Sequence, residues 1–129
     1  MKYILILLTA LLLGGCAAQP TSQSDKATYR QISLEEAITM MAEETNYIIL
    51  DVRRADEFAS GHIPGAINVA NESIGTDDIP ELPDKDQLIL VYCRSGNRSK
   101  QASGKLAGLG YTNIVEFGGI MDWTGEIEK

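Results

Sequence analysis

Tyr47-Ile48-Ile49-Leu50 and Leu88-Ile89-Leu90-Val91-Tyr92 are apolar or aromatic at every position. A strand with one wet face alternates apolar and polar residues, so an unbroken apolar run is buried on both faces. That burial requires a layer of structure on each side of the sheet. Helical patterns lie between the runs. Ser33 followed by Glu36 reads as a capping box, and Leu34, Ala37, Ile38 and Met41 then mark an apolar stripe ending near Glu44. Ala55 to Ser60 reads as a short helix stopped by Gly61, and Ser99 to Leu109 as a longer one with Ala102, Leu106 and Leu109 inward. Tyr29 to Ile32, Ala66 to Val69 and Ile114 to Phe117 supply three further short strands. Asn71 to Pro83 is expected to hold a short helix and a connecting loop, and Ile120 to Glu126 a final helical segment with Trp123. Strands alternating with helices define an α/β fold: a central parallel sheet of five strands flanked by helices on both faces.

In open sheets of this kind ligands sit beyond the carboxyl ends of the strands. Two chemically capable residues emerge there, Asp51 after the first apolar run and Cys93 after the second. Cys93-Arg94-Ser95-Gly96-Asn97-Arg98-Ser99 is a strand-to-helix turn. A thiol at such a turn faces backbone N–H groups and the positive end of a helix dipole, which stabilise a thiolate or a bound anion. Arg94 and Arg98 push the same way, Gly96 lets the amides converge, and Ser95 and Ser99 add hydroxyl donors, Ser99 also as a cap of the following helix. Such surroundings lower a thiol from about 8.5 to roughly 3.5–7.5. The expectation is a nucleophilic Cys93 in a cradle for a small sulfur-bearing oxyanion, attacking its terminal sulfur to form a persulfide.

The first 28 residues are set apart from this domain. Met1-Lys2, the apolar stretch from Tyr3 to Leu13 and Gly14-Gly15-Cys16 occur in the order of a processed leader. The apolar stretch is shorter than the roughly 20 residues a membrane-spanning helix needs. The ensemble resembles the bacterial lipobox, in which the cysteine is lipidated. Residues 1–15 are therefore expected to be a leader, residues 16–28 a flexible tether poor in apolar bulk, and residues 29–129 one small domain. An ordinary secretory signal or a buried N-terminal helix would explain the apolar stretch but not all four features in order. The expected location is extracytoplasmic, periplasmic or at the cell surface, with lipid on Cys16 as the membrane attachment. Cys93 would then be the only free thiol, in a compartment where structural cysteines pair. The net charge of −7 argues against nucleic acid and against docking on anionic lipid, and leaves an anionic substrate to be attracted locally.

Several ordered motifs resemble the single-domain rhodaneses, a sulfurtransferase family. They are Asp51-Val52-Arg53, Glu57-Phe58, Gly61-His62-Ile63-Pro64-Gly65-Ala66-Ile67-Asn68, the Cys93–Ser99 loop, Gly110-Tyr111, and Gly118-Gly119-Ile120 with Trp123. The resemblance implies a rhodanese-like fold, Cys93 as persulfide carrier, and a cradle from the amides of residues 94–98 with Arg94 and Arg98. It also implies a small sulfur anion or a low-molecular-weight persulfide as donor. The related phosphatases have one residue more between cysteine and arginine. The four here, Arg94, Ser95, Gly96 and Asn97, make a smaller cradle, suited to sulfur rather than to a phosphoryl group.

Blander roles fit the other polar residues. His62, the sole histidine, is expected to fix its turn by bonding backbone rather than to act as acid or base. Asp51 and Arg53 are expected to pair as structural support, and Trp123 to clamp the loop or the core. Glu57 stands where some two-domain rhodaneses carry an arginine that contacts thiosulfate, which leaves the donor open. No metal set and no cofactor are implied. Alternatives to a turnover enzyme are a carrier delivering persulfide from Cys93 to a partner protein and, more remotely, a phosphatase-like or thiol-redox protein. The redox reading lacks a resolving cysteine.

Overall fold

The computed structural model describes residues 28–129. The leader, Cys16 and all of the tether but its last residue lie outside the described residues. The strands are β1 (Arg30–Gln31), β2 (Tyr47–Asp51), β3 (Ile67–Asn68), β4 (Leu88–Cys93) and β5 (Ile114–Gly119). The helices are α1 (Leu34–Glu43), α2 (Ala55–Ser60) and α3 (Asn97–Gly108). All strand pairs are parallel, in the order β1-β5-β4-β2-β3. The two apolar runs are neighbours at the centre, with Tyr47 opposite Leu88 and Asp51 opposite Tyr92.

Side chains of successive strand residues point to opposite faces, and two cores follow. On one face Leu50, Val52, Ile89, Val91 and Cys93 pack with Ala102, Leu106 and Ala107 of α3. On the other, Ile49, Leu90, Tyr92, Val115 and Phe117 pack with Ala37 of α1, and Leu34, Met40, Met41 and Phe58 close the margin. Each apolar run divides itself between two helical layers, and that is why it lacks polar residues.

The expected fold class holds, with local differences. The Ser33 hydroxyl accepts from the Glu36 amide at 3.1 Å and starts α1 as expected. Ile38, however, is 42% exposed, and Met40 packs inward in its place. The stripe that α1 buries is therefore displaced from the one the spacing predicts. α3 begins two residues early, capped by Gly96 rather than by Ser99. The polar segment after β3 forms only a single 3₁₀ turn, Asn71–Ser73, because its later residues are pinned by Ile74, Ile79 and Leu82 in the core. The final helical segment does not form. One 3₁₀ turn, Ile120–Asp122, is followed by a chain that crosses back to pair His62 with Glu128 in an antiparallel bridge. The backbone N–H and C=O of Glu128 are thus satisfied by His62 rather than by a helical turn.

Candidate active site

Cys93 ends β4, and α3 starts four residues later. Gly96 makes the intervening turn at φ +116°, a conformation that side chains with a Cβ resist. Its N–H then points back at the cysteine, with N and Sγ 3.0 Å apart. The sheet fits closely beneath. Cys93 lies opposite Gly119 of β5 after a register shift in β4, and a Cβ at Gly119 would overlap the Arg94 carbonyl. The Met121 amide donates to that same carbonyl at 3.1 Å. Gly119 is therefore the seat of the loop, since only a residue without a side chain lets it sit so low.

Cys93 is 1% exposed and is the free cysteine of the described residues. Burial pushes its thiol upward, but the Ser99 hydroxyl and the backbone amides of Ser99, Gly96 and Ser95 outweigh this and hold it below its ordinary value. The Ser99 Oγ lies 3.5 Å from Sγ and 2.6 Å from Oε2 of Glu116, which also accepts from the Gly118 amide at 2.8 Å. Glu116 is 2% exposed, and no ion pair involves it among the described residues. A buried carboxylate two contacts from the sulfur was not singled out in the sequence. The polar residue at the centre of Ile114-Val115-Glu116-Phe117, where an apolar run would be ordinary, was the available signal.

The two arginines part company. Arg94 is exposed, and no ion pair holds it among the described residues. Arg98 is gripped by Glu57 of α2 through two parallel bonds, Nη1 to Oε1 at 2.6 Å and Nη2 to Oε2 at 3.1 Å. Glu57 is itself fixed at the start of α2, where its Oε1 accepts from the Arg54 amide at 3.3 Å. The Arg98 bond holds the Glu57 carboxyl down to about 2, against desolvation. Only one arginine of the expected cradle is therefore uncompensated. Ser95 and Asn97 are exposed on the outer side of the loop, while Gly96 and Ser99 are buried.

Asp51 and Arg53 form the expected pair, and it is closed. Arg53 donates from Nη2 to Oδ2 at 2.7 Å and from its backbone N to Oδ1 at 2.8 Å, and a further Nη2 bond reaches the Gly61 carbonyl at 2.7 Å. Both residues are buried. Asn68 completes the corner by donating to the Asp51 and Arg53 carbonyls. His62 bonds backbone as expected, with Nδ1 2.9 Å from the Phe58 carbonyl and its ring stacked on Phe58 at 3.7 Å. Trp123 packs on the core face that holds Phe117 and donates from Nε1 to the Glu126 carbonyl at 2.9 Å, so it clamps the C-terminal chain and not the cysteine loop.

A buried thiol under converging amides, at the carboxyl edge of a five-stranded parallel sheet, defines a cysteine-loop α/β domain built for anionic sulfur. Residues 33–126 match the model of the rhodanese-like domain, and the chain belongs to that family. It is 34% identical over 96 residues to thiosulfate sulfurtransferase GlpE of Pseudomonas entomophila, across 74% of this chain and 84% of that protein. Thiosulfate sulfurtransferase PspE of Escherichia coli is 34% identical over 73 residues, 57% of this chain and 70% of that one. The match to the adenylyltransferase and sulfurtransferase UBA4 of Candida albicans, 34% over 106 residues, covers 77% of this chain but only 24% of that longer protein. Among solved structures, a rhodanese with anions from E. coli superimposes with a TM-score of 0.58 at 31% identity, covering 64% of this chain and 98% of that one. The rhodanese-like domain of an Anabaena protein gives 0.68 at 27% identity, with 76% and 77% covered.

Proposed function

We propose that this protein is a rhodanese-type sulfurtransferase that carries sulfane sulfur on Cys93. The observation that carries the reading is the Gly96 amide aimed at Sγ from the head of α3, with the thiol held below its ordinary value. The Cys93 thiolate attacks the outer sulfur of the donor, and a new S–S bond forms at Sγ. The donor's own S–S bond breaks, and its electron pair leaves with the remainder: sulfite from thiosulfate, a thiolate from an organic persulfide. A thiophilic acceptor, a small molecule or a partner protein, then takes the outer sulfur and returns Cys93 to thiolate. The amides of residues 94–98 and Arg94 face the charge that develops during both steps. Ser99 Oγ sits beside the inner sulfur and accepts from the thiol while its own proton goes to Glu116, and Asp51 and Arg53 hold the neighbouring corner rigid.

The named activities of GlpE and PspE support sulfur transfer. Incubating the purified full chain with a sulfane donor should add the mass of one sulfur atom to Cys93, released on adding cyanide or a thiol. A Cys93→Ser chain that still gains and releases sulfur would overturn the reading. The order of Met1-Lys2, the apolar stretch and Gly14-Gly15-Cys16 further supports a lipid-anchored, extracytoplasmic protein. Metabolic labelling with a fatty-acid analogue tests this: label on the wild type and none on Cys16→Ser is expected, and equal label would refute the anchor.

A further inference from the structure

We propose that Glu57 is a specificity-determining residue that withholds Arg98 from small dianions and sets this site for organic persulfides. The inference rests on the sulfur-transfer reading above and narrows its donor. Both carboxylate oxygens of Glu57 are engaged with the Arg98 guanidinium, at 2.6 and 3.1 Å, in the geometry that most fully satisfies this pair of groups. The pair is partly buried, with side-chain exposures of 29% for Arg98 and 19% for Glu57, so water screens it little. Arg98 is near enough to the thiol to feel the Cys93 charge. The Glu57 carboxylate thus occupies the one arginine that follows the loop into α3. The uncompensated cation of the rim is Arg94.

The charges of the two donor classes then decide. Thiosulfate brings two negative charges to a thiolate and releases them as sulfite. An organic persulfide reacts as R–S–SH plus the Cys93 thiolate, giving Cys93–S–SH plus R–S⁻. One charge enters on the enzyme and one leaves on the donor's inner sulfur, and the transferred sulfur keeps its oxidation level. One arginine and a ring of amides suffice for that single charge, whereas the dianion must also approach against a chain of net charge −7. The rim beside the loop is suited to a carbon chain. Met121 is 63% exposed and its backbone amide donates to the Arg94 carbonyl, so an exposed apolar residue is anchored to the loop.

The test compares loading of Cys93 by thiosulfate and by cysteine persulfide, whose ammonium and carboxylate cancel, followed by intact mass at matched concentrations. The wild type should load faster from the persulfide. Glu57→Gln keeps an acceptor for the Arg54 amide and leaves Arg98 uncompensated. It should raise kcat/KM for thiosulfate by about tenfold, the scale of one charge-assisted hydrogen bond, and change the persulfide value less than about twofold. Glu57→Ala should act in the same direction, and the double variant Glu57→Gln/Arg98→Met should lose the gain. A thiosulfate rate that stays put in both Glu57 variants, or a gain shared equally by the two donors, would overturn the inference and leave the sulfur-transfer reading intact. Failure of both donors to load the wild type would instead overturn the sulfur-transfer reading itself.

Discussion

The carboxyl ends of β2 and β4 are adjacent, and both bury polar groups, yet they are finished in opposite ways. After β2, Asp51 and Arg53 spend their strongest hydrogen-bonding groups on each other and on the Gly61 carbonyl. After β4, an amide and a hydroxyl converge on a single sulfur atom, which belongs to a nucleophile. The first corner is a closed circuit, and closing it makes it rigid. The second keeps donors aimed at a position where charge can appear, which is what a reacting centre needs. Burial of a polar group therefore does not distinguish support from chemistry. What distinguishes them is whether the partners are mutual or directed at one reactive atom.

Substitutions at the two corners should fail differently. Cys93→Ser should cut sulfur loading by about 10³-fold or more while leaving the urea midpoint near the wild type, because a hydroxyl is a far poorer nucleophile at neutral pH. An unfolded Cys93→Ser chain would break the contrast. Asp51→Ala should do the reverse: it strands the buried Arg53 charge and should cost about 3–5 kcal/mol in urea unfolding, with loading by the remaining folded fraction preserved. Ser99→Ala belongs to the reactive corner. It removes a hydrogen bond to the sulfur and should lower the rate of alkylation by iodoacetamide at neutral pH about tenfold. The sign can be followed with pH. The folded thiol titrates below its ordinary value, so its contribution to stability is present above that value and is lost as pH falls through the folded one. Wild-type alkylation should therefore stay fast below the ordinary thiol range, and the Ser99→Ala profile should shift upward. The smallest effect belongs to the tie between α2 and the loop. Glu57→Gln should cost at most about 1 kcal/mol at neutral pH. The folded Glu57 carboxyl lies at about 2 against an ordinary 4.5, so that contribution is full above 4.5 and disappears as pH drops toward 2.

Much of this was legible because it is local. The Ser33 cap, the limits of α2 and the Cys93–Ser99 turn involve residues within a few positions of one another, and the double burial of β2 and β4 is written in their composition. The Asp51–Arg53 pair spans two residues and was readable too. The final helix expected from Ile120 stops after one 3₁₀ turn, and the chain beyond it is tied across the fold where Glu128 bonds His62 and Gly65.

By itself the sequence determined the alternation of strands and helices, the double burial of the two central strands, and a nucleophilic cysteine at the head of a helix. These follow from periodicities and caps that a short segment carries with it. The tertiary structure decided that Arg98 belongs to Glu57, 41 residues away, and that Glu116 lies beneath Ser99, 17 residues away. Such pairings depend on which strand ends the sheet brings side by side, and no local period encodes them. The reactive loop was visible in the chain, but how much positive charge it keeps for a substrate was settled only when α2 came to rest against it.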